Sequence, residues 1–272
     1  RQLFLEYIQS ENDKDERWYS LIGRAKHVRI GDKLKFPDGE SVEVYHRDKG
    51  ESGFIVRLEV GKGEDIIKKY GHVPLPPYMR RSDTKEDCVR YNTVFGDKEG
   101  SVAAPTASLN ITEDFLKSVR SMGVNIAYVN LQVGWGTFSP VNTDRVEDFN
   151  IHSERFELEK ESSEIINRTI REQKDIWAFG TTATRVLEST AYHDDGRYFV
   201  WPQENSTNLF IYPGYEWKIV NHLITNFHTP KSSLIMLVAS FLGGVEEAKK
   251  LYAHAIDKEY KFLSYGDSML LL

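Results

Sequence analysis

The sequence predicts a layered α/β domain preceded by a small β-barrel, and three features lead there. Short alternating runs fill roughly the first 60 residues, a proline-rich break follows near residue 75, and strand and helix patterns alternate from there onward. In the first region the runs LFLEYI, WYSLI, KLKF, VEVYH and FIVRLEV are separated by the turn signals GDK, PDG and KGESG. A period of two gives each strand one apolar face, and closing five or six such strands into a barrel removes their exposed edges. A short helix, EDIIKKYG, follows, and the three prolines of HVPLPPYMRRSD forbid a helix interior. The barrel is assigned to residues 1–62 and the α/β domain to 63–272.

Beyond the prolines, Thr112 is placed to cap a helix whose first turn holds Glu113 and Asp114 and whose end is marked by Gly123. NIAYVNLQV reads as a buried strand, ESSEIINRTIREQ as a helix, IWAFG as a strand, TATRVLEST as a helix and NLFIYPG as a strand. Two helices, SSLIMLVASFLGG and VEEAKKLYAHAI, close the chain.

Composition narrows the function classes. The chain has 272 residues, 40% hydrophobic and 28% charged, which is ordinary for a folded protein and excludes fibrous and disordered classes. Cys88 is the single cysteine, so no intrachain disulfide forms and a reducing cytoplasm is the expected compartment. The apolar stretch Leu234–Leu242 is far short of the roughly 20 residues that cross a bilayer. The eight histidines are scattered, with neither paired cysteines nor H-x-x-x-H, so no metal site is expected. A net charge of −6 argues against indiscriminate nucleic-acid binding. Charge is uneven, however: Arg24, Lys26 and Arg29 head one basic stretch, and Arg80, Arg81, Lys85 and Arg90 form another.

Several loops fall where α/β folds place ligands: QVGWGTFSPV, FGTTATR, YPGYEW and TNFHTP. FGTTATR sets a glycine between strand and helix but lacks the G-K-[ST] of a triphosphate loop, so it suits ribose or base contacts better. No G-x-S-x-G elbow supports a serine hydrolase. In IHSE, His152 and Glu154 would point the same way on a strand. GSVAAPTASLN, Gly100–Asn110, has too little bulk for ordinary core and reads as a place where something approaches the backbone closely.

Taken in order, HVPLPPYMRR, RYNTVFG, GSVAAPTASLN, LQVGWGTFSPV, IHSE, FGTTATRVLES, FIYPGYEW, LITNFHTPKSSLIMLVASF and YKFLSYGDSMLLL closely resemble the S-adenosylmethionine:tRNA ribosyltransferase-isomerase family of queuosine biosynthesis. The resemblance implies that the β-rich unit is the family's inserted barrel and that the first part of its α/β domain lies before Arg1. It implies transfer and isomerisation of the ribosyl moiety of S-adenosylmethionine onto 7-aminomethyl-7-deazaguanine in a tRNA with a GUN anticodon, giving epoxyqueuosine with release of adenine and methionine. The sulfonium compound is then a co-substrate, no cofactor is needed, and a cytoplasmic monomer is expected.

On that footing a base must reach the hydrogens on C5′ beside the sulfonium. His228 and His152 are the candidates, with Glu154 and Asp267 behind them. Thr181, Thr182 and Arg185 are expected to fix the ribose and carboxylate of the donor, and Tyr215, Tyr265 and Trp135 to offer aromatic faces to the cation. Pro105, Thr106, Asn110, Gln132, Gly134, Gly136, Thr137 and Asn226 complete the expected binding set, and the arginines and lysines of the two basic stretches are expected to face the RNA. This chain departs from the family pattern at Ser108 and Asn110, where A-G-L-H is usual, at Gln132, where L-H-V-G is usual, and at Asn92 in place of a glutamine. Two potential bases are therefore amides, which hydrogen-bond without taking a proton near neutrality. The alternatives are a non-catalytic RNA-binding protein on the same scaffold and another nucleoside-processing enzyme that uses an S-adenosyl donor.

Overall fold

The computed structural model describes residues 3–10, 15–23, 25–48, 53–96, 101, 103–134, 141 and 143–272. The chain forms two compact units, Arg1–Val73 and Pro74–Leu272. In the first, β1 (Leu3–Ser10), β2 (Asp15–Ile22), β3 (Lys33–Lys35), β4 (Ser41–Arg47) and β5 (Phe54–Glu59) form an antiparallel sheet in the order β1-β2-β5-β4-β3. Alternation does what the sequence predicts: every second residue of β2 is buried, and Trp18, Val42, Val44, Phe54 and Val56 make the core. No pairing of β1 with β3 occurs among the described residues, so the sheet is seen as five strands and not as a closed barrel.

Helix α1 (Lys62–Tyr70) belongs to this unit, because Ile66 packs into the same core. The division therefore falls after α1 and not before it, as the 62/63 boundary had placed it. Buried Glu16 meets the start of that helix, accepting the N–H groups of Gly61 at 3.2 Å and Gly63 at 2.6 Å. A carboxylate there balances the positive end of the helix.

The second unit is mixed α/β. Its elements are α2 (Asp87–Arg90), α3 (Glu113–Ser121), β6 (Asn130–Leu131), β7 (Glu154–Leu158), α4 (Lys160–Arg171), β8 (Trp177–Phe179), α5 (Gly180–Thr190), β9 (Ala191–Asp194), β10 (Arg197–Val200), β11 (Gln203–Thr207), β12 (His222–Asn226), α6 (Ser233–Phe241), α7 (Val245–Asp257) and β13 (Ser268–Leu271). One sheet runs β11-β7-β6, another β13-β12-β8 with β8 and β12 parallel, and β9–β10 is a separate hairpin. Leu158, Val186, Val200, Leu223 and Val238 lie at the centre of the core that joins them. Thr112 caps α3 by accepting the Phe115 N–H, and Gly123, at φ +81°, ends it, as expected.

Two expected strands are corrected. NIAYVNLQV pairs only at Asn130–Leu131, since the Tyr128 N–H goes instead to the Ser162 hydroxyl at 3.1 Å. NLFIYPG is not a strand, because its backbone is committed elsewhere: Leu209 donates to Thr207 Oγ1 at 3.0 Å and its carbonyl accepts from Arg185 Nε at 3.2 Å. The unread hairpin turns at Asp195-Gly196, both at positive φ, the chemistry a tight two-residue turn requires.

Glu188, 2% exposed on α5, ties down the segment that replaces the lost strand. Its carboxylate accepts from the Tyr215 hydroxyl at 3.0 Å and from the N–H groups of Lys218, Ile219 and Val220 at 3.0, 3.0 and 2.9 Å. Glu188→Ala strands four donors and should lower stability by about 3 kcal/mol in urea unfolding. An unshifted midpoint would show that the carboxylate does not hold this segment.

Candidate functional site

The site is built where β8 passes into α5. Strands β8 and β12 run parallel, with Ile224 opposite Phe179, so Asn226 at the end of β12 lies level with the first turn of α5. Gly180 makes the junction at φ +90°, a conformation open to glycine, and any Cβ there would come within 3.3 Å of the Ala107 Cβ. Among the described residues no side chain caps α5, and its first turn holds no acidic residue.

A 3-10 turn, Thr106–Asn110, crosses above this junction. At one end Ala107 packs on Gly180; at the other, Asn110 Nδ2 donates to the Gly266 carbonyl at 3.2 Å and to Ser268 Oγ at 3.4 Å. Ser268 pairs directly with Asn226 across the β13–β12 ladder, so the two side chains share the face the turn covers. The turn therefore spans from β13 to α5 over the central strand, and Asn226 lies beneath it. Ala107 and Ser108 are each 4% exposed at this crossing. Asn226 is 1% exposed, and neither Oδ1 nor Nδ2 has a hydrogen-bond partner among the described residues. Pro105 and Thr106, at the start of the turn, and Thr181 and Thr182, in the first turn of α5, are half-buried.

A second node joins β7 to α5. Glu154 and Arg185, 4% and 6% exposed, form an ion pair through Oε2 and Nη1, and Glu154 Oε1 accepts the Gly134 N–H at 2.9 Å. Ser101 Oγ bonds the Leu131 carbonyl and the Val133 N–H, both at 3.2 Å, and the Val141 N–H reaches the Lys231 carbonyl at 2.7 Å. Four sequence segments thus meet: GSVAAPTASLN, LQVGWGTFSPV, IHSE and FGTTATR. The pairing changes two expectations, since Glu154 is engaged by a guanidinium and the Arg185 fork is already taken by a carboxylate and a carbonyl. Arg185 Nη2 alone remains without a partner, beside a cavity of about 10 Å³, room for one water, lined by Ile151, Leu209 and Leu237.

His228 follows β12. It is 7% exposed, its Nε2 lies 3.0 Å from Thr225 Oγ1, and its backbone N–H donates to the Tyr252 hydroxyl at 3.0 Å. Burial lowers the imidazole to about 4 from its ordinary 6.5, so it is neutral at physiological pH. His152 is half-buried just ahead of β7, outside the strand on which it was expected to align with Glu154. Asp267 Oδ2 accepts the Lys261 N–H at 2.7 Å and closes its own loop.

The remaining expected residues are dispersed. The half-buried Tyr215 spends its hydroxyl on Glu188, and burial with that carboxylate holds its ionisation well above the ordinary range. Tyr265 donates to Asp87 Oδ1 at 2.9 Å, with the Arg90 guanidinium 5.2 Å from its ring centroid, and burial with the Asp87 bond pushes its pKa up to about 12. Arg81 forks onto Asp87 at 2.6 and 2.7 Å, so it braces the fold more than it offers charge outward. Lys26 and Arg29 are exposed on the first unit, Arg80 and Arg90 on the second. Gln132 is exposed beside Gly134. Arg24, Trp135, Gly136 and Thr137 lie outside the described residues. Among the described residues no helix is long and apolar enough to cross a membrane, and no three His, Cys, Asp or Glu side chains gather where a metal ion would bind.

Sequence reasoning missed Asp87, Glu188 and Ser268. Glu188 left a faint signal, a carboxylate directly after Val186 and Leu187 on an expected helix. Ser268 left none, because its partner Asn110 lies far along the chain, and Asp87 ties its neighbours Thr84 and Arg81 to the distant Tyr265.

An uncapped helix start and an amide unpaired among the described residues lie at the carboxyl ends of two parallel strands, the place where α/β folds bind ligands. This chain belongs to the queuosine biosynthesis protein family, whose model matches residues 2–271. Among its relatives are proteins named S-adenosylmethionine:tRNA ribosyltransferase-isomerase from Treponema denticola, 42% identical over 94% of this chain and 73% of that one, and from Sulfurihydrogenibium sp., 42% identical over 95% and 74%. A third, from Macrococcus caseolyticus, is 42% identical over 95% of this chain and 75% of its own. A crystal structure of S-adenosylmethionine tRNA ribosyltransferase from Thermotoga maritima matches 99% of this chain and 75% of that one, with a TM-score of 0.49 and 25% identity.

If the Glu154–Arg185 pair is structural, Arg185→Met alone should cost about 3 to 5 kcal/mol in denaturant unfolding, and Glu154→Met/Arg185→Met should recover most of that loss. A double variant as unstable as the single one would contradict the pairing. The Arg81 bond, outweighing burial, holds the Asp87 carboxyl well below the usual carboxylate range. Its contribution is complete above the unfolded pKa of about 3.9 and is lost as pH falls below it, so Asp87→Asn should flatten the acid limb of the stability profile under about pH 4. An unchanged limb would remove Asp87 as a cause of acid sensitivity.

Proposed function

We propose that this protein transfers the ribosyl portion of S-adenosylmethionine to 7-aminomethyl-7-deazaguanine in tRNA and isomerises it, giving epoxyqueuosine with release of adenine and methionine. Family membership and the names of its relatives support the activity. The observation that carries it to this chain's residues is the crossing of the small-residue turn over Asn226 at the uncapped start of α5.

The sulfonium acidifies C5′, and His228 is the base that takes its hydrogen. Burial keeps the ring neutral, so it carries a lone pair for the proton, and the tautomer in which Nε2–H donates to Thr225 Oγ1 leaves that lone pair on Nδ1. Thr181 and Thr182 hold the ribose, while the turn at 106–110 admits the flat deazaguanine to within contact of the backbone. Reaching that base requires taking it out of the anticodon stack. Lys26, Arg29, Arg80 and Arg90 face the RNA, whose anticodon is GUN by the family resemblance, and the protein acts as a monomer. The two β-bulges of the first unit, between Tyr7 and Gln9 and between Val44 and His46, bend their strands as a closing barrel requires.

The non-catalytic reading rested in part on two amides, Asn110 and Gln132, in place of histidines, and the bonds of Asn110 support a positioning role for the first. Its amide ties Gly266 and Ser268 to the turn, a positioning task that needs no proton transfer. Incubation with precursor tRNA and labelled donor should release adenine and move label into the tRNA; binding without turnover would favour the non-catalytic scaffold. His228→Ala should abolish adenine release while tRNA affinity stays near normal, and unchanged turnover would remove His228 from the mechanism.

A further inference from the structure

Arg185 was the natural holder of the donor's carboxylate, yet Glu154 and Leu209 occupy it. The carboxylate needs another partner, and α5 supplies one. Its first turn presents backbone N–H groups that no side chain caps, and the helix has eleven residues to sum its dipole. A second feature at the same place is independent of the helix. Beneath the turn at 106–110, Asn226, 1% exposed, has neither its acceptor nor its donor bonded among the described residues. An amide so deeply buried with neither atom bonded is costly unless a ligand completes it.

On the reading given under Proposed function, we infer that Asn226 and the N-terminus of α5 form the subsite for the amino-acid end of the donor. The α-carboxylate accepts from the first-turn N–H groups and from Asn226 Nδ2, and the α-ammonium donates to Asn226 Oδ1. The two free atoms and the helix end choose among ligands. A phosphodiester or a dianionic phosphate has only acceptors and would leave Oδ1 without a donor. A purine edge would satisfy the amide but bring no anion to the helix. A zwitterion meets all three requirements.

The test compares S-adenosylhomocysteine, which carries the amino-acid end, with 5′-methylthioadenosine, which lacks it, by equilibrium binding to the whole protein. Asn226→Asp removes the donor and sets a negative charge against the carboxylate; Asn226→Leu fills the same buried space without polar atoms and should fold at least as well as the wild type. Both should weaken S-adenosylhomocysteine by at least about tenfold, the worth of one charge-assisted hydrogen bond, and leave 5′-methylthioadenosine unchanged. Equal losses for the two compounds would mean that the amide reads the nucleoside and would overturn this subsite while leaving the proposed activity standing. Undiminished S-adenosylhomocysteine binding in both variants would also overturn it. If the wild type bound neither compound, the proposed activity would fall and the subsite with it.

Discussion

A buried guanidinium requires a carboxylate, and in this protein that requirement organises the site. Arg185 lies on the helix that leaves β8, and Glu154 lies at the start of a strand in a different sheet. Their ion pair joins the two sheets through α5 and draws in the Gly134 N–H and the Leu209 carbonyl. Desolvating both charges is expensive, so the pair is weak evidence of added stability and stronger evidence that the two elements have one allowed arrangement. With Arg185 committed, the helix end carries the positive charge at this junction among the described residues.

Backbone closeness follows from the same junction. The 106–110 turn comes down on Gly180, where a side chain would be strained at φ +90° and would crowd Ala107. Larger residues in the turn would hold it off the sheet and expose Asn226. The small residues thus keep out of water an amide that has no partner among the described residues, and a polar group so buried bonds more strongly than an exposed one. Two further ties, Glu188 beneath 218–220 and Asp87 between Arg81 and Tyr265, fix the neighbouring loops without contributing to this junction.

Local signals carried most of the fold. Period-two alternation located all five strands of the first unit, and Thr112 and Gly123 marked the ends of α3, because both are properties of neighbouring residues. NLFIYPG failed because tertiary bonds to Arg185 and Thr207 override its strand propensity. For the site, the segments were legible but the roles were not. Glu154 and Arg185 looked like chemistry-bearing residues until the fold placed them against each other, and Tyr215 and Tyr265 proved to spend their hydroxyls on Glu188 and Asp87. Asn226 was named among many binding candidates, yet only the β13–β12 register and the crossing turn single it out.

The most direct measurement is a crystal structure of the protein with S-adenosylhomocysteine bound. The predicted result places the amino-acid end within hydrogen-bond distance of Asn226 and of the first turn of α5, with Arg185 still paired to Glu154. Density for the ligand away from the 106–110 turn, or a carboxylate held by an Arg185 released from Glu154, would contradict it.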